Sequence, residues 1–157
     1  MKISMRRASA DDAPFIYSLI NKLAEFEKAP EQVTLTLDQF LQDAFSDDPL
    51  CFSHILESDG TPAGFTLCYY RYSTWKGKSL YLEDLFVEPE FRGQGLAKLA
   101  LKTLAEIAVR GKCGRFEWQV LDWNEPAIKF YQSIGADLDP EWINCRLEGE
   151  SISNLAK

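Results

Sequence analysis

The chain has 157 residues, 46% of them hydrophobic, and 24 acidic against 17 basic side chains give a formal net charge of −7. That length supports one domain, 1–157, with a sizeable core, and no stretch is rich enough in proline, glycine or serine to act as a linker. The acidic balance argues against a nucleic-acid partner, whose binding surface is normally basic, and no apolar run is long enough to imply a membrane span. Arg6, Arg7, Asp11 and Asp12 stand where a signal peptide would be apolar, so the expected location is cytoplasmic. Cys51, Cys68, Cys113 and Cys145 lack zinc-type spacing and read as buried, reduced thiols; the only histidine, His54, reads as structural.

Ile3 to Arg7 is predicted to form a first strand, after which Ser9 and Asp12 make a capping-box pair at a helix start. Ile16, Leu19, Ile20, Leu23 and Phe26 supply that helix's buried stripe. Thr36 and Gln39 form a second capping box, ahead of a helix with Leu37, Phe40, Leu41, Ala44 and Phe45 on one side. Cys51 to Glu57 and Ala63 to Arg71 are strand-like segments around Asp59-Gly60, a hairpin signal, and Ser79 to Val87 is the next strand. Leu96, Leu99, Ala100, Leu104, Ile107 and Ala108 recur at helical spacing until Gly111. Arg115 to Leu121 is the following strand, Asn124 caps a short helix through Ile134, and Trp142 to Leu147 reads as a last strand. The order is β-α-α-β-β-β-α-β-α-β.

The junction between Tyr81-Leu-Glu-Asp-Leu-Phe-Val87 and Arg92-Gly-Gln-Gly-Leu-Ala97 is the most informative segment. Two glycines permit tight turns, and the first turn of the helix they open presents unpaired N–H groups to an anion. A third glycine of the dinucleotide fingerprint is missing, since Gly93 and Gly95 are followed by Lys98. Gly77-Lys-Ser79 lacks the earlier glycine of a P-loop, Tyr72 standing there.

Val87-Glu-Pro89 followed by Arg92-x-x-Gly95-x-Ala97 resembles the acetyl-CoA motif of the GNAT acyltransferase superfamily. Trp123-Asn-Glu-Pro-Ala-Ile-Lys-Phe-Tyr131 followed by Gly135-Ala136 is similar to its second signature. Tyr81-Leu-Glu-Asp-Leu-Phe-Val87, Trp75 and Glu31-Gln-Val33 narrow the resemblance to the spermidine/spermine (diamine, thialysine) N-acetyltransferase branch, over roughly Ile3 to Ala136. It implies the GNAT α/β (α+β) fold, a central mixed, mostly antiparallel sheet flanked by helices. It also implies acetyl-CoA as cosubstrate, no metal, a small cationic amine as acceptor, and a homodimer; an apolar C-terminal strand has two outlets, pairing across a subunit boundary or an edge covered within one chain. The alternatives are a protein or peptide N-acetyltransferase, and an acyl-CoA sensor without turnover.

The resemblance also distributes roles. Arg92, Gly93, Gln94, Gly95, Leu96, Ala97 and Lys98 form the pyrophosphate loop. Leu85, Phe86 and Val87 offer main chain to the pantetheine arm where the strand parts from its neighbour at a bulge, and Asn124, Pro126, Ala127 and Tyr131 complete the cofactor set.

An alkylammonium, with a pKa of about 10.4, must lose a proton before it can attack a thioester. Glu83 and Asp84 are adjacent on a strand, so alternation sends them to opposite faces and only one can meet the acceptor. On spacing alone Glu83 is an exposed sheet residue or an arginine's partner; the resemblance makes it the carboxylate that binds the cation and relays its proton, and leaves Asp84 structural. Tyr131, on packing grounds an aromatic beside Phe130, becomes by resemblance the acid that protonates the departing thiolate. Phe26, Glu27 and Trp75 match amine-contacting positions, and Glu117, Trp118 and Gln119 are further candidates to line the pocket. Phe26 replaces a tyrosine of the mammalian polyamine enzymes, and Lys28 adds a positive charge nearby.

Overall fold

The computed structural model describes Met1–Lys157 as two compact units, Met1–Gln119 and Val120–Lys157. No helix is long and apolar enough to cross a membrane.

The first unit is built on a five-stranded sheet in the order β1-β2-β3-β4-β5: β1 Ile3–Arg7, β2 Phe52–Ser58, β3 Thr61–Ser73, β4 Gly77–Val87 and β5 Arg115–Glu117. Neighbours are antiparallel except β4 and β5, which run parallel. Asp59 (φ 48°) and Gly60 (φ 78°) both take the left-handed conformation that a tight two-residue hairpin turn requires.

One face of the sheet is covered by α1 (Ala13–Phe26) and α2 (Leu37–Phe45). Ala13, Ile16 and Leu19 from α1, with Phe40 and Ala44 from α2, pack on Ile55, Phe65, Leu67 and Phe86. Phe26, predicted in the same stripe, is 43% exposed at the last position of α1. The other face is covered by α3 (Leu96–Arg110), whose Leu96 and Ala100 meet Leu56 and Ala63, with Ile3, Met5, Leu85 and Val87 around them. Gly64 lies between β2 and β4 where a Cβ would come 2.3 Å from the Phe86 carbonyl oxygen, so only glycine allows this approach of β3 to β4.

Local capping follows the sequence with adjustments. Ser9 N–H donates to Asp12 Oδ2 at 2.9 Å, but the pair closes a single 3-10 turn, Ala10–Asp12, and α1 begins after it. Thr36 Oγ1 accepts from Gln39 N–H at 3.1 Å, whereas the Gln39 amide turns forward to Asp43 instead of back to the cap. At the end of α3 the left-handed residue is Lys112 (φ 56°), not Gly111.

In the second unit, α4 (Glu125–Ser133) starts at Asn124, whose Oδ1 accepts from Ala127 N–H at 3.4 Å, with Pro126 in the first turn. Trp142 to Leu147 does not form the predicted strand. Those residues are irregular and exposed, and the chain ends in α5, Glu150–Leu155. Ile143, Cys145 and Leu147 alternate with Asn144 and Arg146, yet the segment is not one of the five strands of the sheet. Of the four free cysteines, only Cys68 is buried; Cys51 and Cys113 are half-buried and Cys145 is exposed.

Candidate active site

The register of β3 against β4 decides what the site contains. Leu67 pairs with Asp84 and Cys68 with Leu82, so Glu83 is an extra residue and β4 is bulged at that point. An extra residue inverts the phase of alternation. Tyr81, opposite Tyr69, and Asp84, opposite Leu67, therefore lie on the same face, the one covered by α1 and α2. The expectation that Glu83 and Asp84 face opposite sides is corrected by this bulge. Tyr69 Oη donates to Glu83 Oε2 at 3.2 Å, which brings Glu83 to the same side as well.

The result is a carboxylate cluster: Glu83 and Asp84 at the bulge and Glu27 just beyond α1. Burial first, then the charges of Glu83 and Glu27, push Asp84 up to about 7. The residue is half-buried overall; its carboxyl is the desolvated part. Burial and then Glu83 raise Glu27. Tyr69, desolvated and beside the Glu83 charge, is pushed up to about 12, so its phenol stays a donor. Asp84, read from the sequence as structural, joins this cluster, and the signal that places it there is the register shift, which depends on a second strand.

Beside the bulge, β5 pairs with β4 only from Ser79 to Tyr81. From Leu82 to Val87 no strand of the sheet pairs with β4 on that side, and Val87 O accepts from Arg92 Nε. Beyond it, Gly93 (φ 79°) and Gly95 (φ 90°) are left-handed, and a Cβ on Gly93 would meet nothing within 4 Å. No side chain caps the start of α3, leaving its first N–H groups unclaimed, a cradle suited to pyrophosphate. Gln94 is a strut of that loop: its Oε1 accepts from the buried Ser58 hydroxyl at 2.6 Å. Leu96 is core, Ala97 half-buried and Lys98 exposed. Arg92 is held away from a purely electrostatic role; its Nε donates to Val87 O at 3.0 Å and its guanidinium stacks 5.5 Å from the ring centres of both Phe26 and Phe86. A cavity of about 540 Å³ lies here, walled by Lys22, Phe26, Phe86, Glu88 and Arg92, with Lys22 Nζ on Glu88 Oε1 at 2.7 Å.

The remaining candidates are dispersed. Trp75 is 77% exposed in the β3–β4 turn, where its N–H and that of Lys76 both donate to Ser73 Oγ. Glu117 ends β5 with its carboxylate occupied: Ser79 Oγ donates to Oε2 at 2.8 Å and Arg115 Nη1 to Oε1 at 3.2 Å. Trp118 and Gln119 lie beyond the strand, which is three residues long instead of the predicted seven, so Glu117 and Gln119 do not share a strand face. In the second unit, Asn124 caps α4 through Oδ1, and Tyr131 is half-buried with its ring 5.8 Å from that of Phe130.

The acetyltransferase (GNAT) family model matches residues 14–136. This chain belongs to the GNAT acetyltransferase family. Along nearly its whole length it is similar to thialysine N-epsilon-acetyltransferase from Sus scrofa, with 38% identity over 98% of this chain and 97% of the relative. L-ornithine N5-acetyltransferase from Arabidopsis thaliana is 30% identical over 98% of this chain and 87% of its own. Among solved structures, an integron cassette protein from V. cholerae superposes with a TM-score of 0.81 at 25% identity, covering 100% of this chain and 99% of that one. The GNAT fold and acetyltransferase class implied by the two sequence signatures therefore hold.

Proposed function

We propose that this GNAT enzyme transfers acetyl from acetyl-CoA directly to the primary amine of a small cationic acceptor: a diamine, a polyamine or a lysine-like amino acid. The observation that carries the reading is the grouping of Glu27, Glu83 and Asp84 at the β4 bulge, beside the open edge of Leu82–Val87. The names of the thialysine and ornithine acetyltransferases support the acceptor class.

Acetyl-CoA supplies the activated acyl group as a thioester. The loop amides from Gly93 to Ala97 and the start of α3 hold its pyrophosphate, and main chain of Leu85 to Val87 orients its arm. Glu83 and Glu27 attract the acceptor's ammonium. Asp84 Oδ, held near 7 by burial, takes up the proton the amine must lose, since a base poised near ambient pH combines the ionised form with adequate basicity. Backbone N–H groups on the unpaired β4 edge stabilise negative charge on the carbonyl oxygen. Tyr131 Oη supplies the proton for the departing thiolate.

Thiol release from acetyl-CoA in the presence of diamines, spermidine, lysine and ornithine tests this reading. An acetylated free amine is expected; transfer to peptides alone, or cofactor binding without any product, would overturn it.

A further inference from the structure

A cation stands in the same aromatic-acid cluster and takes no part in the chemistry above. Arg71, on β3, is half exposed, and its guanidinium lies 4.6 Å over the ring centre of Tyr81. Tyr81 packs 5.2 Å from Tyr69, and Tyr69 donates to Glu83. The ion-pair partner of Arg71, Glu117 Oε2, lies 3.9 Å from Nη1, outside hydrogen-bond distance, and accepts from Ser79 Oγ at 2.8 Å. Arg71 therefore keeps a planar fork of donors, oriented by Tyr81 and not consumed by Glu117.

Register places this fork relative to the acids. Arg71 pairs with Ser79 and Tyr69 with Tyr81, so the tyrosine pair separates the Arg71 row from Glu83. At about 3.3 Å per residue the two rows are roughly 13 Å apart along the strands, and both side chains fold over the tyrosines toward each other. The cluster is thus bipolar: carboxylates at one end, guanidinium at the other, aromatic faces between. A diamine would meet Arg71 with its second ammonium. An amino acid with a side-chain amine would present a carboxylate there, a match for a guanidinium fork.

We infer that Arg71 binds the α-carboxylate of the acceptor and selects amino acids of the lysine and ornithine type over the corresponding diamines. The assignment rests on the proposed amine acetylation and adds to it which amines are accepted.

The test uses pairs differing only in that carboxylate: lysine with cadaverine, ornithine with putrescine. The wild-type protein is expected to favour the amino acid in kcat/KM by at least about tenfold, the scale of one charge-assisted hydrogen bond. Arg71→Gln should remove that preference, raising KM for the amino acid about tenfold with little change in kcat, while improving the diamine by relieving repulsion. Arg71→Lys should restore part of the preference. Because the side chain is half exposed, neither variant threatens the fold. Diamines used as well as amino acids, or an unchanged ratio in Arg71→Gln, would overturn the assignment and leave amine acetylation standing. No transfer to any of the four would overturn this assignment, and no transfer to spermidine either would remove the underlying reading with it.

Discussion

Replacing Asp84 by asparagine removes a carboxyl that folding raises from 3.8 to about 7, chiefly by desolvation. A gap of roughly three pH units at about 1.36 kcal/mol each is worth about 4 kcal/mol. The folded value is raised, so the folded state binds the extra proton. The associated stability is fully present below about pH 4 and is lost as pH rises through 7. Asparagine has no such loss. Relative to the wild type, Asp84→Asn should therefore gain roughly 3 kcal/mol of stability between pH 5 and pH 9, a urea midpoint shift of about 1–2 M. Urea titrations followed by tryptophan fluorescence at the two pH values measure it. The same variant should lose on the order of 100-fold in kcat and the rise of activity through neutral pH, the scale set by a removed general base. A stability difference that does not vary with pH, joined to an unaltered pH–rate profile, would refute the claim that the bulge desolvates this carboxyl beside Glu83.

His54 is buried and, through desolvation and then Arg7, lowered to about 4, so its neutral form is favoured; the stability it contributes is present above about 6.5 and is lost as pH falls toward 4, roughly 3 kcal/mol in all. His54→Phe, with Phe52 and Thr66 as neighbours, should flatten the decline in thermal midpoint between pH 6.5 and 4.5; an identical decline would show that other groups cause it. Tyr131→Phe should slow turnover while calorimetry finds coenzyme A affinity unchanged, and full turnover where chemistry limits the rate would return Tyr131 to a packing role beside Phe130. Gly64→Ala drives a Cβ into the Phe86 carbonyl and should cost about 2–3 kcal/mol in denaturant titration, because the obstacle is backbone; a neutral effect would mean β3 and β4 can part freely.

What the sequence made legible was local. Asp59-Gly60 specified its hairpin, Thr36 and Asn124 capped their helices, and Gly93 with Gly95 marked a loop that both take left-handed. Each depends on neighbours within a few residues. The bulge at Glu83 depends on where Leu67 and Cys68 settle opposite β4, and strict alternation along one strand therefore sent Glu83 and Asp84 to opposite faces. Arg92 read only as part of the pyrophosphate loop because its ring partners, Phe26 and Phe86, come from α1 and β4. Trp142 to Leu147 read as a strand, and the apolar-polar alternation from Ile143 to Leu147 did not suffice to make one.

The central claim is acetyl transfer to a small free amine. Thiol release from acetyl-CoA over spermidine, short diamines, lysine, ornithine and short peptides, with mass spectrometry of every product, tests it most directly. The account predicts one acetyl group on the primary amine of a small cationic acceptor. Peptides acetylated in preference to every free amine, or bound cofactor with no acetylated product, would contradict it.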